Sequence, residues 1–464
     1  MRTTPIAVAL FTVFSLSAYA SELPLSPQQK RVRDIYQELI EIDTTHSTGS
    51  TTTAAKTVAK RLRAAGFAAK DVQILGPKPN RGNLVARLHG SDAKRPLLLL
   101  AHLDVVEAKR SDWSVDPFKL LEQDGFFYAR GSLDDKAMAA IFVEIMLRMK
   151  QAGGKPDRDV ILVLTADEEG GPDNGVDWLL KNHRDLVDAE MVLNEGGGGR
   201  MRSGTYLLNG VQASEKTYTN FLLEVKNKGG HSSLPTKDNA IYRLAAGLGR
   251  LEKFEFPVEL NDVTRAYFER SAKTESGQTT TDMLALLQDP PDTQAIARLS
   301  ETPSYNALMR TTCVATRLEG GHADNALPQT ARANINCRVL PGHSMDEVRQ
   351  TLIGVLADDQ IGITETEPAS AGPASPVDPA LIAVVERITE SMWPGVPVIP
   401  TMSTGASDSR YFRSAGINAY GVSGIFVDMD DVRAHGKDER VGVKQFYEGQ
   451  EFLSRLVTAL TTAP

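Results

Sequence analysis

The sequence predicts an α/β protein: a doubly wound, mixed sheet with a smaller α+β domain inserted into it. Amphipathic helical segments alternate with short apolar runs over residues 26–194, as they do in folds with helices on both faces of a sheet. The run at residues 96–101 is continuously apolar, which is typical of a strand buried on both faces. Between about residues 211 and 368 the pattern changes to alternating polar and apolar positions, which indicates the insertion.

Each element follows from its local pattern. Apolar residues recur at helical spacing in the first two segments, and Gly66 marks the end of the second segment. The predicted order is helix 26–39, helix 51–65, strand 83–88, strand 96–101, helix 135–150, strand 160–165, helix 176–180, strand 191–194, strand 221–225, hairpin 311–339, helix 379–391 and helix 443–460. We therefore expect residues 21–212 and 369–464 to form one domain and residues 213–368 to form a second domain.

Composition limits the class of protein and its partners. The chain has 464 residues, which is too long for one compact core, and 41% of them are hydrophobic, enough for a large interior. Its formal net charge is -8, and charges of both signs are mixed without a basic stripe. We therefore expect neither nucleic acid nor a membrane surface as a partner.

The N-terminus has the three regions of a secretory signal peptide. Arg2 is followed by an apolar stretch at residues 6–16 and by the small-residue sequence Ala-Tyr-Ala that ends at Ala20. We predict that residues 1–20 are a signal peptide cleaved after Ala20, so that the protein is secreted or periplasmic. A membrane anchor is the alternative, but the apolar stretch is shorter than the roughly 20 residues that span a bilayer.

The two cysteines, Cys313 and Cys337, lie in the two strands of the predicted hairpin. Export favours a disulfide between them. Directly opposed strand positions, in contrast, disfavour the geometry of the bond. Two buried free thiols are the alternative, and the sequence leaves both possibilities open.

Residues of types that can bind metals follow the first buried strand and precede the third helix. His102 comes directly after the apolar run, and Asp104 projects from the same side of an extended backbone, where its carboxylate can orient the imidazole. A structural histidine is the alternative for His102 taken alone. Asp134 and Asp135 indicate a cation, because adjacent carboxylates repel each other. A helix N-cap is the alternative for this pair, but one aspartate would be enough for it.

Three further positions offer carboxylates or an imidazole. Glu168 and Glu169 belong to an acidic run after the strand at 160–165, where one glutamate can bind a metal while its neighbour acts as a general base. A solvated turn is the alternative for this run. Glu195 precedes four glycines, which allow either a flexible turn or a close approach to a site. His435 is ambiguous by itself.

Taken in order, five motifs resemble those of the M20 metallopeptidases, a group of di-zinc carboxypeptidases, dipeptidases, aminoacylases and deacetylases. The motifs are His102-Leu-Asp104-Val-Val, Arg130-Gly-Ser-Leu-Asp134-Asp135-Lys136, Asp167-Glu168-Glu169-Gly, Asn194-Glu195-Gly and His435. The resemblance covers essentially the whole chain after the signal peptide. It implies that residues 21–212 and 369–464 form the catalytic domain and that residues 213–368 form a lid and dimerisation domain.

The resemblance also implies cofactors and roles. Two zinc ions are expected, with cobalt or manganese as alternatives. The implied metal ligands are His102 and Glu195 for one ion, Glu169 and His435 for the other, and Asp134 as a bridge between them. Glu168 would be the general base for a water that bridges the metals, and Asp104 would orient a metal-binding histidine. The peptide between Asp134 and Asp135 would be cis, as it is in the family.

The second domain carries residues that resemble the substrate-recognition groups of the lid. The motif Gly229-Gly-His231-Ser-Ser-Leu-Pro235 implies that His231 reaches the site of a neighbouring subunit and stabilises the oxyanion. A capped helix start is the alternative. Asn325 and Arg338 resemble the carboxylate-binding pair, and arginine suits this role because its planar fork matches a carboxylate. A plain surface position is the alternative for Arg338.

A loop in the last third of the chain resembles the family's glycine-rich loop, which lines the substrate pocket with backbone N–H groups. Gly405 and Ser407 are the expected substrate-binding residues in it. Thr404 and Ala406 depart from the family's frequent pattern Gly-Gly-Thr-Ser-Asp, so the side-chain contacts of the loop stay open.

Three functions are compatible with these observations. The first is an exported, zinc-dependent amidohydrolase that cleaves peptide bonds as a carboxypeptidase or dipeptidase. The nearest alternative is an N-acyl-amino-acid hydrolase, an aminoacylase or deacylase, which would share every catalytic residue. A non-catalytic ligand-binding protein is the alternative of another class, and the complete ligand set argues against it. The resemblance further implies a small peptide or N-acyl amino acid as substrate and a homodimer through the lid domain.

Overall fold

The structure is a computed structural model that describes residues 24–366 and 371–462. The predicted signal peptide, residues 1–20, lies outside the described residues. The α-helices, numbered in chain order, are α1 (Pro27–Ile40), α2 (Thr51–Ala64), α3 (Lys136–Ala152), α4 (Gly175–Asn182), α5 (Arg184–Val187), α6 (Ala240–Leu251), α7 (Asp262–Ser271), α8 (Gly277–Leu286), α9 (Thr293–Ser300), α10 (Pro303–Met309), α11 (Met345–Leu356), α12 (Pro379–Met392), α13 (Ser409–Ser414) and α14 (Val443–Thr461). Among the described residues, no helix combines the length and the apolar character that crossing a membrane requires.

The strands are numbered in the same way. They are β1 (Val72–Leu75), β2 (Asn83–Leu88), β3 (Lys94–His102), β4 (Leu121–Gln123), β5 (Phe126–Tyr128), β6 (Arg158–Thr165), β7 (Met191–Asn194), β8 (Gly198–Arg202), β9 (Thr205–Glu215), β10 (Thr217–Lys226), β11 (Gly230–His231), β12 (Thr312–Gly320), β13 (Ala326–Leu327), β14 (Thr330–Val339), β15 (Ile361–Glu365), β16 (Val398–Ser403), β17 (Asn418–Gly421), β18 (Phe426–Asp428) and β19 (Arg440–Gly442). The predicted strands 83–88 and 191–194 have the bounds of β2 and β7.

Ten of these strands form one mixed sheet. Their order is β1-β2-β6-β3-β7-β17-β9-β8-β18, and β16 lies beside β9. The centre of the sheet is parallel, because β3 pairs with β6 on one side and with β7 on the other. β2 and β9 run antiparallel to β6 and β17. The predicted mixed α/β sheet is therefore confirmed.

Helices cover both faces of this sheet. The side chains of β3 alternate between the faces: Leu97 and Leu99 pack in one buried cluster with residues of α1, α2 and α3. Leu98 and Leu100 pack in a different cluster, which contains residues of α4 and α13. All four leucines are fully buried, which explains why the strand is continuously apolar rather than alternating. The sheet is doubly wound, as the sequence predicts.

Local capping explains why the predicted helix bounds are close to the observed ones. The hydroxyl of Ser26 accepts a hydrogen bond from the backbone of Gln29, whose side chain accepts one from the backbone of Ser26, so a capping box starts α1. Asn174 caps α4 through its side chain. Gly153, in the left-handed conformation, ends α3.

The inserted region contains a second, antiparallel sheet of four strands in the order β12-β14-β10-β15. Helices α6 and α11 pack on it around a cluster that includes Phe221, Leu244 and Ile335. The predicted hairpin of residues 311–339 corresponds to β12 and β14. In this hairpin Cys313 lies directly opposite Cys337 and is joined to it by a disulfide. The structure thus decides the pairing that the sequence leaves open.

The two sheets are connected through a short link. β9 ends one residue before Lys216 and β10 begins one residue after it. Helices α7 to α10 lie between the strands of the second sheet in sequence, but residues such as Phe268 and Met283 pack into the core of the large sheet. α7 contacts β16 of that sheet. The domain division at residues 213 and 368 stays a prediction.

Candidate metal centre

Three neighbouring parallel strands bring two predicted ligands, His102 and Glu195, and the predicted general base Glu168 to one edge of the large sheet. β3 ends at His102, Glu168 follows β6, and Glu195 follows β7. Because β6, β3 and β7 are adjacent and parallel, their carboxyl ends lie side by side, which is where doubly wound folds place their sites. Asp134 and His435 reach the same edge from the segments that precede α3 and β19.

Two groups of ligand atoms meet around Asp134. In the first group, Nε2 of His102 lies 3.0 Å from Oδ1 of Asp134 and 4.0 Å from Oε2 of Glu195. In the second group, Nε2 of His435 lies 3.1 Å from Oδ2 of Asp134 and 2.9 Å from Oε2 of Glu169. The ligand atoms of each group lie within 4.8 Å of one another. Asp134 thus offers one oxygen to each group, as a bridging ligand would.

The donor atoms suit two divalent ions. Each group combines one imidazole nitrogen with carboxylate oxygens, a set that zinc takes. Oε1 of Glu169 and Oδ2 of Asp135 are buried without a hydrogen-bond partner among the described residues. Burying an unpaired carboxylate is costly, and a cation offsets that cost. The peptide between Asp134 and Asp135 is cis, as expected.

The electrostatics of the groups favour cations. Burial by itself lowers the pKa of His102, but hydrogen bonds to Asp104 and Asp134 outweigh burial and raise this pKa well above its usual range. Hydrogen bonds to Asp134 and Glu169 raise the pKa of His435 to about 10. Desolvation, with the charge of Asp134, raises the pKa of the Glu195 carboxyl. These shifts arise because three carboxylates, Asp134, Glu169 and Glu195, are crowded around two imidazoles, an arrangement that a bound cation would stabilise.

Glu168 lies beside both groups and belongs to neither. Desolvation raises the pKa of its carboxyl well above the usual range, and the charges of Asp408 and Glu169 add to this effect against the opposing charge of His102. The side chain is half-buried. A carboxylate with a raised pKa that lies beside the ligand groups and belongs to neither has the properties of a general base.

Asp104 connects two ligands. Nδ1 of His102 lies 3.0 Å from the carbonyl oxygen of Asp104 and 3.6 Å from its Oδ1. Oδ2 of Asp104 accepts a hydrogen bond from the backbone N–H of Glu169 at 2.9 Å. Asp104 therefore fixes the imidazole mainly through its main chain, while its carboxylate holds the segment that carries Glu169.

The predicted lid residues His231 and Asn325 lie together on an exposed ribbon. His231 pairs with Ala326 across β11 and β13, and the N–H of Ser232 donates to the carbonyl of Asn325 at 3.0 Å. Nδ1 of His231 accepts a hydrogen bond from the N–H of Ser233 at 3.1 Å, so the neutral imidazole carries its proton on Nε2 and donates from there. Within the described residues, no metal ligand hydrogen-bonds to His231.

Arg338 meets the glycine-rich loop. Its Nη1 donates to the carbonyl of Thr404 at 3.3 Å, next to Gly405, and its guanidinium lies 4.7 Å from the centre of the Tyr218 ring. The hydroxyl of Ser407, in contrast, is buried and donates to Glu215 at 2.7 Å. The structure thus brings Arg338 and Gly405 together, and it commits the Ser407 side chain to a contact within the protein.

Two buried carboxylates near the centre have no role in the sequence-based prediction. Asp408 accepts hydrogen bonds from Asn174 at 2.6 Å and from Thr165 at 3.2 Å, and burial raises its pKa to about 6. Glu439 accepts a hydrogen bond from the backbone N–H of Asp134 at 3.1 Å. Asp408 directly follows Ser407 and Glu439 lies four residues after His435, but the partners of both carboxylates lie in distant segments, so the sequence offers no direct signal.

Comparison with known proteins agrees with this geometry. The profile of peptidase family M20/M25/M40 matches residues 98–459, and the chain belongs to this family. It is therefore a hydrolase that acts on peptide or related amide bonds.

Two relatives and one solved structure show which proteins of the family the chain is similar to. The chain is 31% identical to the N-fatty-acyl-amino acid synthase/hydrolase PM20D1 of Xenopus tropicalis over 363 residues, 76% of this chain and 70% of that protein. It is 28% identical to the probable carboxypeptidase S-like 2 of Dictyostelium discoideum over 388 residues, 81% of this chain and 74% of that protein. The M20 metallo-carboxypeptidase Sso-CP2 of Sulfolobus solfataricus has the same fold, with a TM-score of 0.69 and 18% identity over 94% of this chain and 99% of that one.

Proposed function

We propose that the protein is a zinc-dependent hydrolase that cleaves the amide bond between an acyl group and an amino acid with a free carboxylate. Cobalt and manganese are the alternative metals. The observation that carries the proposal is the pair of ligand groups that share Asp134, with Glu168 beside them but in neither group. A general base has to lie near the water that it deprotonates without being a ligand itself.

When bound, the two metal ions would lower the pKa of a water molecule and polarise the carbonyl of the amide. The side chains of the chain hold the ions and move the proton. Glu168 takes a proton from the attacking water and returns it to the nitrogen of the leaving amino acid. Asp104 keeps Nε2 of His102 directed at the first group, because its carbonyl oxygen lies beside Nδ1.

The second domain would supply the groups that recognise the substrate. His231 can donate from Nε2 to the oxyanion that forms at the amide carbon. Arg338 can bind the free carboxylate of the amino acid with Asn325, while backbone groups near Gly405 line the pocket. Ser407 contributes to this loop through its contact with Glu215.

We propose that the protein is a homodimer through the second domain. β12 is an edge strand of the second sheet, and its Val314 and Leu318 are exposed. Leu234, three residues after His231, and Tyr242 of α6 are exposed as well. Exposed apolar residues beside an unpaired strand edge are typical of an interaction surface. We also propose export by the signal peptide at residues 1–20.

The comparisons favour an N-acyl amino acid with a fatty acyl chain as the substrate, because the relative with 31% identity is named for N-fatty-acyl-amino acids. The second candidate is a carboxypeptidase or dipeptidase activity, which the carboxypeptidase-like relative favours. Both reactions release an amino acid with a free carboxylate, so the catalytic residues are the same.

A substrate panel tests the proposal. Zinc-reconstituted protein would be offered long-chain and acetyl N-acyl amino acids, dipeptides, and the same compounds with an amidated carboxyl group. We expect turnover of the N-acyl amino acids, much weaker turnover of the amidated forms, and strongly reduced turnover of all of them by Glu168→Ala. Preference for the dipeptides would select the second candidate. Absence of turnover on every amide, with tight binding of one of them, would select a non-catalytic binding protein.

A further inference from the structure

Glu439 is a fully buried carboxylate that the proposed reaction does not use. Its Oε2 accepts hydrogen bonds from Nη1 of Arg130 at 2.6 Å and from the N–H of Gly131 at 3.1 Å. Its Oε1 accepts from the N–H groups of Leu133 at 2.8 Å and Asp134 at 3.1 Å. Each oxygen therefore accepts two hydrogen bonds from residues 130–134, the segment that carries Asp134.

Arg130 extends the same contact to the loop that carries His435. Its Nη2 donates to the carbonyl of Gly436 at 3.0 Å and to that of His435 at 3.4 Å, while Nη1 donates to Glu439. The guanidinium is buried and lies 4.9 Å from the centre of the Trp113 ring. A cation–π contact with this ring therefore also stabilises its position. One ion pair thus fixes the backbone on both sides of the second ligand group.

The two ligand groups depend differently on this ion pair. Glu439 and Arg130 hold two members of the second group, Asp134 and His435, but only one member of the first group, Asp134, which both groups share. His102 and Glu195 of the first group follow strands of the large sheet, which this ion pair does not contact. Oδ2 of Asp134 and Nε2 of His435, which lie 3.1 Å apart, thus project from the two backbone segments that this ion pair joins.

We infer that Glu439 is a positioning residue that, together with Arg130, sets the metal affinity of the second group, formed by Asp134, Glu169 and His435. The inference rests on the proposed function, because it presumes a metal pair at this edge. Groups that orient metal ligands change metal affinity without touching the metal, and losing one of them costs roughly 10- to 100-fold.

Glu439→Gln tests this role, because glutamine keeps the shape of the side chain but turns one acceptor oxygen into an N–H₂ group that faces N–H donors. Zinc-loaded protein would be equilibrated with increasing chelator, and bound metal per chain measured by elemental analysis. We expect one of the two equivalents to leave at a roughly 10- to 100-fold lower free chelator concentration than in the wild type. The other equivalent should be weakened less, because His102 and Glu195 of the first group lie at strand ends that Glu439 does not contact.

Glu144→Gln is the matched control. Glu144 is also fully buried and pairs with Arg31 at 2.8 Å, but it hydrogen-bonds to no metal ligand among the described residues. It should lower the thermal stability of the metal-free protein and leave the chelator curve unchanged. Equal loss of metal in both variants would overturn the inference, since a weakened fold would explain both. Wild-type retention of both equivalents by Glu439→Gln would overturn it too.

Arg130→Lys keeps the test decisive if Glu439→Gln does not fold. Lysine retains a cation beside Glu439, but one ammonium group cannot also reach the carbonyls of His435 and Gly436. The same selective loss of one equivalent is expected, and an unchanged curve would overturn the inference. A wild-type chain that binds no metal would overturn the proposed function together with the inference, whereas two equivalents in all variants would overturn the inference alone.

Discussion

The candidate metal centre and the inserted region differ in how far their polar groups are buried. At the edge of the large sheet, His102 and Asp104 are buried and fixed by strand ends and backbone hydrogen bonds. In the second domain, His231 and Asn325 are exposed on a two-stranded ribbon. The candidate ligands therefore converge within one chain, whereas the proposed recognition groups His231 and Asn325 would reach them by domain closure or from a second chain.

The largest expected effect is on kcat, and it comes from a residue beside the two ligand groups. Glu168→Ala should lower kcat by roughly 10²- to 10⁴-fold, because it removes the general base. Both metal equivalents should remain, since Glu168 belongs to neither ligand group. Steady-state kinetics and elemental analysis measure the two quantities. Loss of metal in parallel with activity would instead make Glu168 a ligand.

The next prediction concerns His231, which lies exposed on the two-stranded ribbon. His231→Ala should lower kcat by roughly 10²- to 10³-fold through loss of an oxyanion donor, with unchanged metal content. If His231 acts from a neighbouring subunit, mixing this variant with Glu168→Ala should restore about a quarter of wild-type activity, because half of the dimers then contain one complete site. No recovery after subunit exchange would contradict a role in a second subunit.

Arg338 lies between the two regions and should affect binding rather than chemistry. Arg338→Ala should raise KM for N-acyl amino acids roughly 10- to 100-fold, because a charge-assisted hydrogen bond to the carboxylate is lost. Substrates with an amidated carboxyl group should be affected little. Arg317→Ala is the control, since Arg317 is exposed on β12 and pairs with Glu319. A KM that changes equally in both variants would exclude the specific role.

Lys216 should produce the smallest effect, on stability. It lies on the link between the sheets, and its Nζ donates to the carbonyls of Ala307 and Arg310. Burial lowers its pKa to about 7, so the unfolded state binds more protons between pH 7 and about 10. The free energy of unfolding should therefore fall as pH decreases through this range, and less so in Lys216→Met. Denaturant titrations at several pH values measure the difference, and identical slopes would contradict it.

The comparison also explains what could be predicted from the sequence. His102 ends β3 and Glu195 follows β7, so strand ends and short motifs are enough to predict both residues as ligands, a role that stays a prediction. The mixed sheet was predictable for the same reason, because local periodicity reports strands and helices that lie next to each other in sequence.

Long-range contacts were not predictable in this way. The partners of Glu439 lie about 300 residues earlier in the chain, and no local pattern reports a pairing over that separation. The burial of Ser407 against Glu215 and the packing of α7 on β16 are of the same kind. Packing of distant segments, rather than propensity or spacing, decides these contacts.

The metal content of Asp134→Ala and Glu169→Ala beside the wild type tests the central claim most directly. Two ligand groups that share Asp134 predict two tightly bound equivalents of zinc per wild-type chain, one in Glu169→Ala and close to none in Asp134→Ala. A wild-type chain that holds far fewer than two equivalents, or an Asp134→Ala variant that holds as many as the wild type, would contradict a metal centre bridged by Asp134.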